Sequence, residues 1–182
     1  MAASLAHPQA RRLAALQLLA GPLVLASYAY CILVWPEASS LMWGGVPAWL
    51  EPFYTAWMFA AAAGYFSYSY VFILRTDPAR ARFGRWGYGF LTPAYALALI
   101  PSALWMPATK WMMDEPNTLR WWLVRLDLFA VAAGSLMLLW ATFKLEPRPA
   151  TYLRRLALIG GCAFCVQTVL LDALIWTALF PI

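Results

Sequence analysis

Residues 121–143 read WWLVRLDLFAVAAGSLMLLWATF, an apolar run long enough to cross a bilayer as a single helix. A helix advances about 1.5 Å per residue, so roughly 20 residues cover the hydrocarbon core of a membrane. Four more runs of this kind fill most of the chain, at residues 13–35, 53–74, 87–107 and 156–180. The sequence therefore predicts an all-α integral membrane protein built as a five-transmembrane-helix bundle.

The composition agrees with this fold class. Of the 182 residues, 64% are hydrophobic and 12% are charged, whereas a soluble domain is roughly 25% charged. The five runs leave no room for a soluble domain, so residues 1–182 are expected to form a single membrane domain. The first run is too long for the apolar core of a signal peptide and is not followed by a clear small-residue cleavage site, so we expect it to stay as a helix.

The basic residues predict the orientation of the helices. They lie before the first run, between the second and third, and around the start of the fifth: Arg11, Arg12, Arg75, Arg80, Arg82, Arg85, Lys144, Arg148, Arg154 and Arg155. Loop one, residues 36–52, has none, and in loop three Lys110 is offset by Asp114 and Glu115. Because Lys and Arg collect on the cytoplasmic side, the N-terminus is expected there and the C-terminus opposite. The net charge of +5 is then a topology signal and does not indicate nucleic-acid binding.

Prolines and small residues predict how the helices bend and pack. Pro93 and Pro101 fall inside the third run and are expected to kink it. Small residues gather at 60–64 in the second run and at 130–135 in the fourth. Small side chains let helix backbones approach closely in lipid, so these two segments are expected to be packing surfaces.

Three charged residues lie inside the apolar runs, where burying a charge costs at least about 2.5 kcal/mol. Arg125 and Asp127 lie about 7.5 and 10 Å from the start of the fourth helix, and Asp172 lies about 12 Å from the end of the fifth. In the predicted topology all three share one depth, beneath loop one. Arg125 and Asp127 point to different sides of their helix, so the simplest pairing is Arg125 with Asp172. That pair would be either a structural ion pair or the polar anchor of a ligand pocket, and a third reading has Arg125 reaching to the lipid headgroups.

The tryptophans fall into two groups. Many lie where an interfacial belt is expected, namely Trp35, Trp43, Trp49, Trp86, Trp111, Trp121 and Trp122. Four others lie within the runs or near their ends, where the large ring is buried and its N–H needs a partner: Trp57, Trp105, Trp140 and Trp176.

No motif predicts catalysis or metal binding. The single histidine, His7, lies in the N-terminal tail, and there is no phosphate-binding loop, zinc motif or Ser–His–Asp set. Cys162 and Cys165 form a C-x-x-C of the kind used by quinone-linked thiol oxidoreductases, but no loop carries the second pair that such an enzyme needs. At this spacing on a helix they also serve as small apolar fillers. We predict no catalytic residue; a binding role is favoured, and the question of enzymatic activity stays open.

Four segments carry motifs of one family, in the same order and on the corresponding helices. Their residues are Pro47, Trp49, Pro52, Trp57, Gly64, Tyr65, Tyr68, Leu97, Leu99, Leu104, Trp105, Pro107, Leu123, Asp127, Ala132, Ala133, Trp140, Leu171, Asp172 and Trp176. With these motifs the chain resembles the tryptophan-rich sensory protein / translocator protein family (TspO-like), as a divergent member. The resemblance covers roughly residues 43–176.

The resemblance implies a five-helix bundle with a pocket that opens toward loop one, which acts as a lid. Family members bind porphyrins and related tetrapyrroles, and some bind sterols; they are linked to transport, stress sensing and light-dependent porphyrin breakdown. The expected ligand-binding residues are Trp49, Trp57, Tyr65, Trp105, Arg125, Asp127, Asp172 and Trp176. The expected ligand is a non-covalently bound porphyrin or other tetrapyrrole, or a lipid or sterol. Expected partners are membrane lipid and a second copy or a larger complex, in a bacterial inner membrane or an organellar membrane.

The chain departs from the family pattern at three places. Leu50 and Glu51 replace the second proline of the loop motif, Pro101-Ser102-Ala103 stands where the family has Asn, and Asp172 replaces another Asn. These departures motivate an alternative, a structural or accessory subunit of a larger membrane complex that keeps the fold without the ligand. A third hypothesis is an enzyme that acts on its ligand, by photochemical porphyrin degradation or by thiol chemistry at Cys162 and Cys165.

Overall fold

The computed structural model describes residues 7–180, apart from the side chains of Ala38 and Ser39. It contains five helices that are long and apolar enough to cross a membrane, as the sequence predicts. They are α1 (Pro8–Val34), α2 (Glu51–Arg75), α3 (Tyr88–Asp114), α4 (Thr118–Lys144) and α5 (Thr151–Leu179). A single helical turn, Ala38–Leu41, lies in loop one.

All five helices are longer than the apolar runs, and two of them, α1 and α4, begin at a side-chain cap. The His7 side chain accepts a hydrogen bond from the Gln9 N–H at the start of α1. At the start of α4, Asn117 Oδ1 accepts one from the Arg120 N–H over 2.9 Å. Such caps satisfy amide groups that have no partner in the first turn of a helix.

The third helix corrects the sequence prediction in two respects. It does not end at Pro107 but continues to Asp114, so Pro101 and Pro107 are the prolines inside it. Pro93 lies in the first turn of its α-helical part, Leu91–Asp114, where a missing N–H costs little, and does not interrupt it. The added residues 108–114 make about two turns and carry an ion pair one turn apart, between Lys110 Nζ and Asp114 Oδ1 at 2.6 Å.

The helices pack in an order that differs from their order in the chain. α1 packs on α3, α3 on α4, α4 on α5 and α5 on α2. The last turn of α2, Val71–Arg75, also touches α1 and so closes the ring. Helices that follow one another in sequence are therefore not always neighbours, and each helix faces a common interior.

Glycines mark the two closest helix crossings. A Cβ at Gly64 of α2 would meet the backbone of Gly160 of α5. A Cβ at Gly134 of α4 would lie 2.6 Å from the Ala98 nitrogen and 2.8 Å from the Ala94 oxygen, both in α3. Both small-residue segments thus pack against a neighbouring helix, as predicted.

The two ends of the bundle are built differently. At one end loops two and four join in a small antiparallel sheet that the sequence did not predict, with β1 (Arg82–Phe83) between β2 (Trp86–Gly87) and β3 (Leu145–Glu146). Gly84 makes the turn between β1 and β2 with a φ of 59°, which favours glycine. At the other end loop one covers the final turn of α5. Loops two and four therefore share the end opposite to loop one.

Candidate ligand-binding site beneath loop one

The residues beneath loop one are positioned by an irregular part of α5. Val166–Trp176 forms a π-helix, whose hydrogen bonds run between residues five apart. In an α-helix such residues point about 140° away from each other. Here Gln167 and Asp172 face each other, and Gln167 Nε2 donates to Asp172 Oδ1 over 2.8 Å. Long π-helical segments are rare and occur often at functional sites.

A tyrosine of α2 is hydrogen-bonded to the same π-helical segment of α5. The Tyr54 hydroxyl donates to the carbonyl oxygen of Leu171 over 2.8 Å, and its side chain is buried. Its ring meets Trp43 of loop one edge-on, with centroids 5.9 Å apart. Tyr54 therefore links α2, α5 and loop one.

Aromatic side chains from all five helices meet beneath loop one. We call this group the loop-one cluster; it consists of Tyr28 (α1), Tyr54 (α2), Trp105 (α3), Trp121 (α4), Trp176 (α5) and Phe180, which directly follows α5. Trp105 lies 5.7 Å from Trp176 and 5.8 Å from Tyr28 between ring centroids, both edge-on. Phe180 lies 4.5 Å from Trp176 and 5.5 Å from Trp121. Such contacts form a continuous aromatic interior.

Loop one closes over this cluster. The Trp176 indole N–H donates to the Met42 carbonyl over 2.8 Å, and Met42 and Val46 are buried. Gly44 lies against the ring of Phe180 and Gly45 against the backbone of Leu179, so neither position has room for a side chain. Loop one is thus held against the end of α5.

Two carboxyl groups lie among the aromatic residues. Tyr28 is within electrostatic range of both Asp127 and Asp172, which places residues of α1, α4 and α5 near one another. Within residues 7–180 the ion pairs are Lys110–Asp114 and Arg120–Glu115. Neither Asp127 nor Asp172 belongs to an ion pair.

The expected ion pair between Arg125 and Asp172 is wrong. The Arg125 guanidinium carbon lies 4.8 Å from the ring of Trp122 and 5.7 Å from that of Trp121, on the preceding turn of α4. These are cation–π distances. The Arg125 side chain therefore packs on two tryptophans of its own helix, and Asp172 accepts a hydrogen bond from Gln167.

Several buried polar atoms at this end of the bundle have no hydrogen-bond partner. They are Trp105 Nε1, Thr109 Oγ1, Arg125 Nε, Asp127 Oδ2 and Gln167 Oε1. Thr109 is 0% exposed and Gln167 is 6% exposed. Because buried polar groups in proteins are nearly always hydrogen-bonded, to the chain or to water, such a concentration is typical of a site that water or a ligand completes.

The structure brings together only some of the predicted site residues. Trp105, Asp127, Asp172 and Trp176 lie in or beside the loop-one cluster, and Arg125 lies at its edge, over the Trp121 ring. Trp57 packs at the border of the same core, where its indole N–H donates to the Ala163 carbonyl over 3.0 Å.

Two predicted site residues lie elsewhere. Trp49 is 78% exposed on loop one. Tyr65 belongs to a second core nearer the sheet, where its hydroxyl bonds to Gln17 and its ring contacts Tyr68 and Tyr95. Neither is among the residues that meet beneath loop one.

Sequence reasoning missed Tyr28, Tyr54, Thr109 and Gln167. Gln167 carried a usable signal, since it is a polar amide in the middle of an apolar run. The two tyrosines carried none, because a tyrosine near a helix end is typical of the membrane interface.

A surface groove borders the site. It has a volume of about 520 Å³ and lies between loop one and the first turns of α2. Its walls are Trp43, Ala48, Glu51, Pro52, Thr55, Ala56 and Phe59. Trp43 also contacts Tyr54, so the groove reaches the outer side of the loop-one cluster.

The C-x-x-C residues lie away from this site. Cys162 is exposed and Cys165 is buried, and both are free thiols. Cys165 lies near Ser135 of α4.

No protein-family model, curated protein or solved structure matches this chain. The resemblance to the translocator protein family therefore rests on the sequence motifs alone, and the chemistry of the loop-one cluster is the basis for inferring a function.

Proposed function

We propose that this chain is a multi-pass membrane protein that binds a flat hydrophobic ligand of the tetrapyrrole kind beneath loop one, in a sensing or transport-related role. The observation that carries the proposal is the loop-one cluster itself. Aromatic side chains from five helices surround buried polar atoms without partners, and a loop closes over them. Ligand sites are typically apolar enclosures with a few convergent polar groups of this kind.

The chemistry of the cluster suits a large flat ligand. Indole rings offer faces and edges for stacking on a macrocycle, and Trp105 also offers an unpartnered N–H. The fused rings of a lipid-soluble sterol would contact the same aromatic side chains of the loop-one cluster. Entry requires loop one to move, and the Trp176–Met42 hydrogen bond is the contact that must open first.

The positions of the basic residues support one orientation of the bundle in the membrane. The sheet joins loops two and four, so that the basic residues of both gather at one end of the bundle. By the positive-inside rule this end faces the cytoplasm of a bacterium, or its equivalent in an organelle. The loop-one cluster then opens to the opposite side, and the ligand arrives from there or from the membrane.

A titration of the detergent-purified protein with protoporphyrin, followed by tryptophan fluorescence, tests the proposal. We expect saturable quenching in the micromolar range that Trp105→Leu weakens. Trp86→Leu, at the sheet end of the bundle, is the matched control and should bind as the unmodified protein does. A linear, non-saturating response would show that the cluster does not hold this ligand.

A second candidate is the accessory subunit of a larger membrane complex. It is favoured by α1, which is the least buried of the five helices and exposes Leu18, Leu19, Leu25 and Leu33. A partner's helix would cover this face. Recovery of the protein with a stable partner after mild detergent extraction would support this candidate, and a monomer or homodimer would count against it.

A further inference from the structure

Within residues 7–180, the two acidic side chains beneath loop one, Asp127 and Asp172, form no ion pair with a basic side chain. Residues 7–180 contain three basic side chains at this end of the bundle, and each is engaged elsewhere. Lys110 binds Asp114, Arg120 binds Glu115, and Arg125 lies over the rings of its own helix. In the part of the chain that the structure describes, no basic side chain therefore forms an ion pair with Asp127 or Asp172.

The same carboxyl groups have unused acceptor capacity. Asp127 Oδ2 is buried without a hydrogen-bond partner. Asp172 receives a bond from Gln167, whose own Oε1 is buried without one. Since an ionised carboxylate can accept about four hydrogen bonds, the site holds more acceptors than its neighbours can satisfy.

The walls of the site suit a positive charge. Tyr28, which lies near both carboxyl groups, meets Trp105 edge-on, and Trp105 in turn meets Trp176, so that a row of aromatic rings begins beside Asp127 and Asp172. A cation near a tryptophan face is attracted by the negative potential of the ring, most strongly where water is excluded. A negatively charged group in the same place would face two carboxyl groups without a counter-ion.

We propose that the loop-one cluster selects a hydrophobic amine, and that Asp127 and Asp172 accept hydrogen bonds from its charged nitrogen. This inference rests on the proposed function, because it names the polar end of the ligand that the cluster binds. The occupant is an aromatic or fused-ring body that carries an ammonium group. A dicarboxylate such as protoporphyrin would have to keep its propionates outside the cluster, toward the groove at loop one.

Three probes with one hydrophobic body test the inference: 1-pyrenemethylamine, 1-pyrenemethanol and 1-pyrenecarboxylate. Each is titrated into the full chain in a neutral detergent near neutral pH, and binding is read as energy transfer from tryptophan to pyrene. We expect the amine to bind about tenfold more tightly than the alcohol, and the carboxylate most weakly.

Two variants and one control test whether Asp127 and Asp172 cause the preference for the amine. Asp127→Asn and Asp172→Asn should each reduce the preference for the amine about tenfold and leave the affinity for the alcohol unchanged. Glu37→Gln removes an exposed carboxylate of loop one that belongs to neither ion pair and should change neither. The comparison of the three probes on the unmodified protein needs no variant, so it remains decisive even where an Asn variant does not fold.

The outcomes separate this inference from the proposed function. Equal saturable binding of all three probes would overturn the amine preference and leave ligand binding in place. Tightest binding of the carboxylate would also overturn it. An amine preference that survives in both Asn variants would show that Asp127 and Asp172 are not the anchors. Saturation by none of the probes would count against the amine site, and a flat protoporphyrin titration beside it would count against the proposed function too.

Discussion

Gln167 donates a 2.8 Å hydrogen bond to Asp172 five residues further along the same helix. The bond exists because Val166–Trp176 is wound as a π-helix, which places residues five apart on one face. It gives the Asp172 carboxyl a hydrogen-bond donor without a basic residue. Several consequences of this arrangement can be measured.

Replacing Gln167 alone is expected to destabilise the bundle. Gln167→Leu leaves the Asp172 carboxyl buried without its donor, which costs about 1–3 kcal/mol in the free energy of unfolding. The double variant Gln167→Leu/Asp172→Leu removes both partners and should lie closer to the unmodified protein, because no polar group is then left unpaired. Unfolding in mixed detergent, followed by tryptophan fluorescence, measures both. Equal losses in the single and double variants would show that the hydrogen bond is not what matters.

The bond from Tyr54 to the Leu171 carbonyl should contribute measurably to stability. Tyr54→Phe keeps the ring and removes the hydroxyl, so we expect a loss of about 1 kcal/mol in the free energy of unfolding. Tyr30→Phe is the matched control, because Tyr30 is 64% exposed and its hydroxyl makes no hydrogen bond to the described residues 7–180. A loss of the same size in both variants would contradict the role given to Tyr54.

The crossing of α2 and α5 should not tolerate a methyl group. A Cβ at Gly160 would lie 2.7 Å from the Gly64 carbonyl oxygen and would also meet Ser67. Gly160→Ala is therefore expected to lower the free energy of unfolding by about 1–3 kcal/mol through overpacking.

Gly21 provides the control for this crossing. Nothing lies within 4 Å of a Cβ at Gly21 of α1, so Gly21→Ala should leave stability unchanged or raise it by up to about 1 kcal/mol through helix propensity. Thermal denaturation of both variants in one detergent checks the pair. A stable Gly160→Ala protein would mean that the two helices are farther apart than described.

The Trp176–Met42 hydrogen bond should hold loop one closed. Trp176→Phe keeps an aromatic ring and removes the N–H, so the backbone amides of residues 40–50 are expected to exchange hydrogen faster. Trp122→Phe changes a tryptophan that is 49% exposed and should not affect these amides. Exchange read by mass spectrometry compares the two, and unchanged protection in Trp176→Phe would remove this bond from the closing mechanism.

The proposed orientation predicts which loops are accessible from each side of the membrane. In a background with Cys31, Cys162 and Cys165 replaced by Ala, a single cysteine is placed at Ser40 in loop one or at Ala79 in loop two, both exposed. An impermeant maleimide added to intact cells should label Ser40→Cys, and Ala79→Cys only after the membrane is opened. The reverse pattern would invert the topology.

The sequence by itself determined the five helices and the way the loops alternate between the two ends. Hydropathy is a local property, and a run of about 20 apolar residues has no alternative in lipid but a helix. The ends of the helices differ from the predicted ends. The Asn117 cap starts α4 before its apolar run, and α3 continues past Pro101 and Pro107 to Asp114. Helix ends are harder to predict because caps and prolines depend on the groups around them.

Only the tertiary structure decided which side chains meet. The ring order of the helices brings Tyr28 of α1 close to Asp127 and Asp172, which residue spacing cannot reveal. A charged residue inside an apolar run indicates that it has a partner but not which residue that partner is. From the sequence, Arg125 is therefore paired with Asp172, whereas the structure places Arg125 against the tryptophans of its own helix. Within the π-helical part of α5, the Leu171 carbonyl accepts a hydrogen bond from the Tyr54 hydroxyl of α2, a contact between helices that lie far apart in the sequence. The loop-one cluster is therefore a product of contacts between helices, whereas the helices themselves follow from local composition.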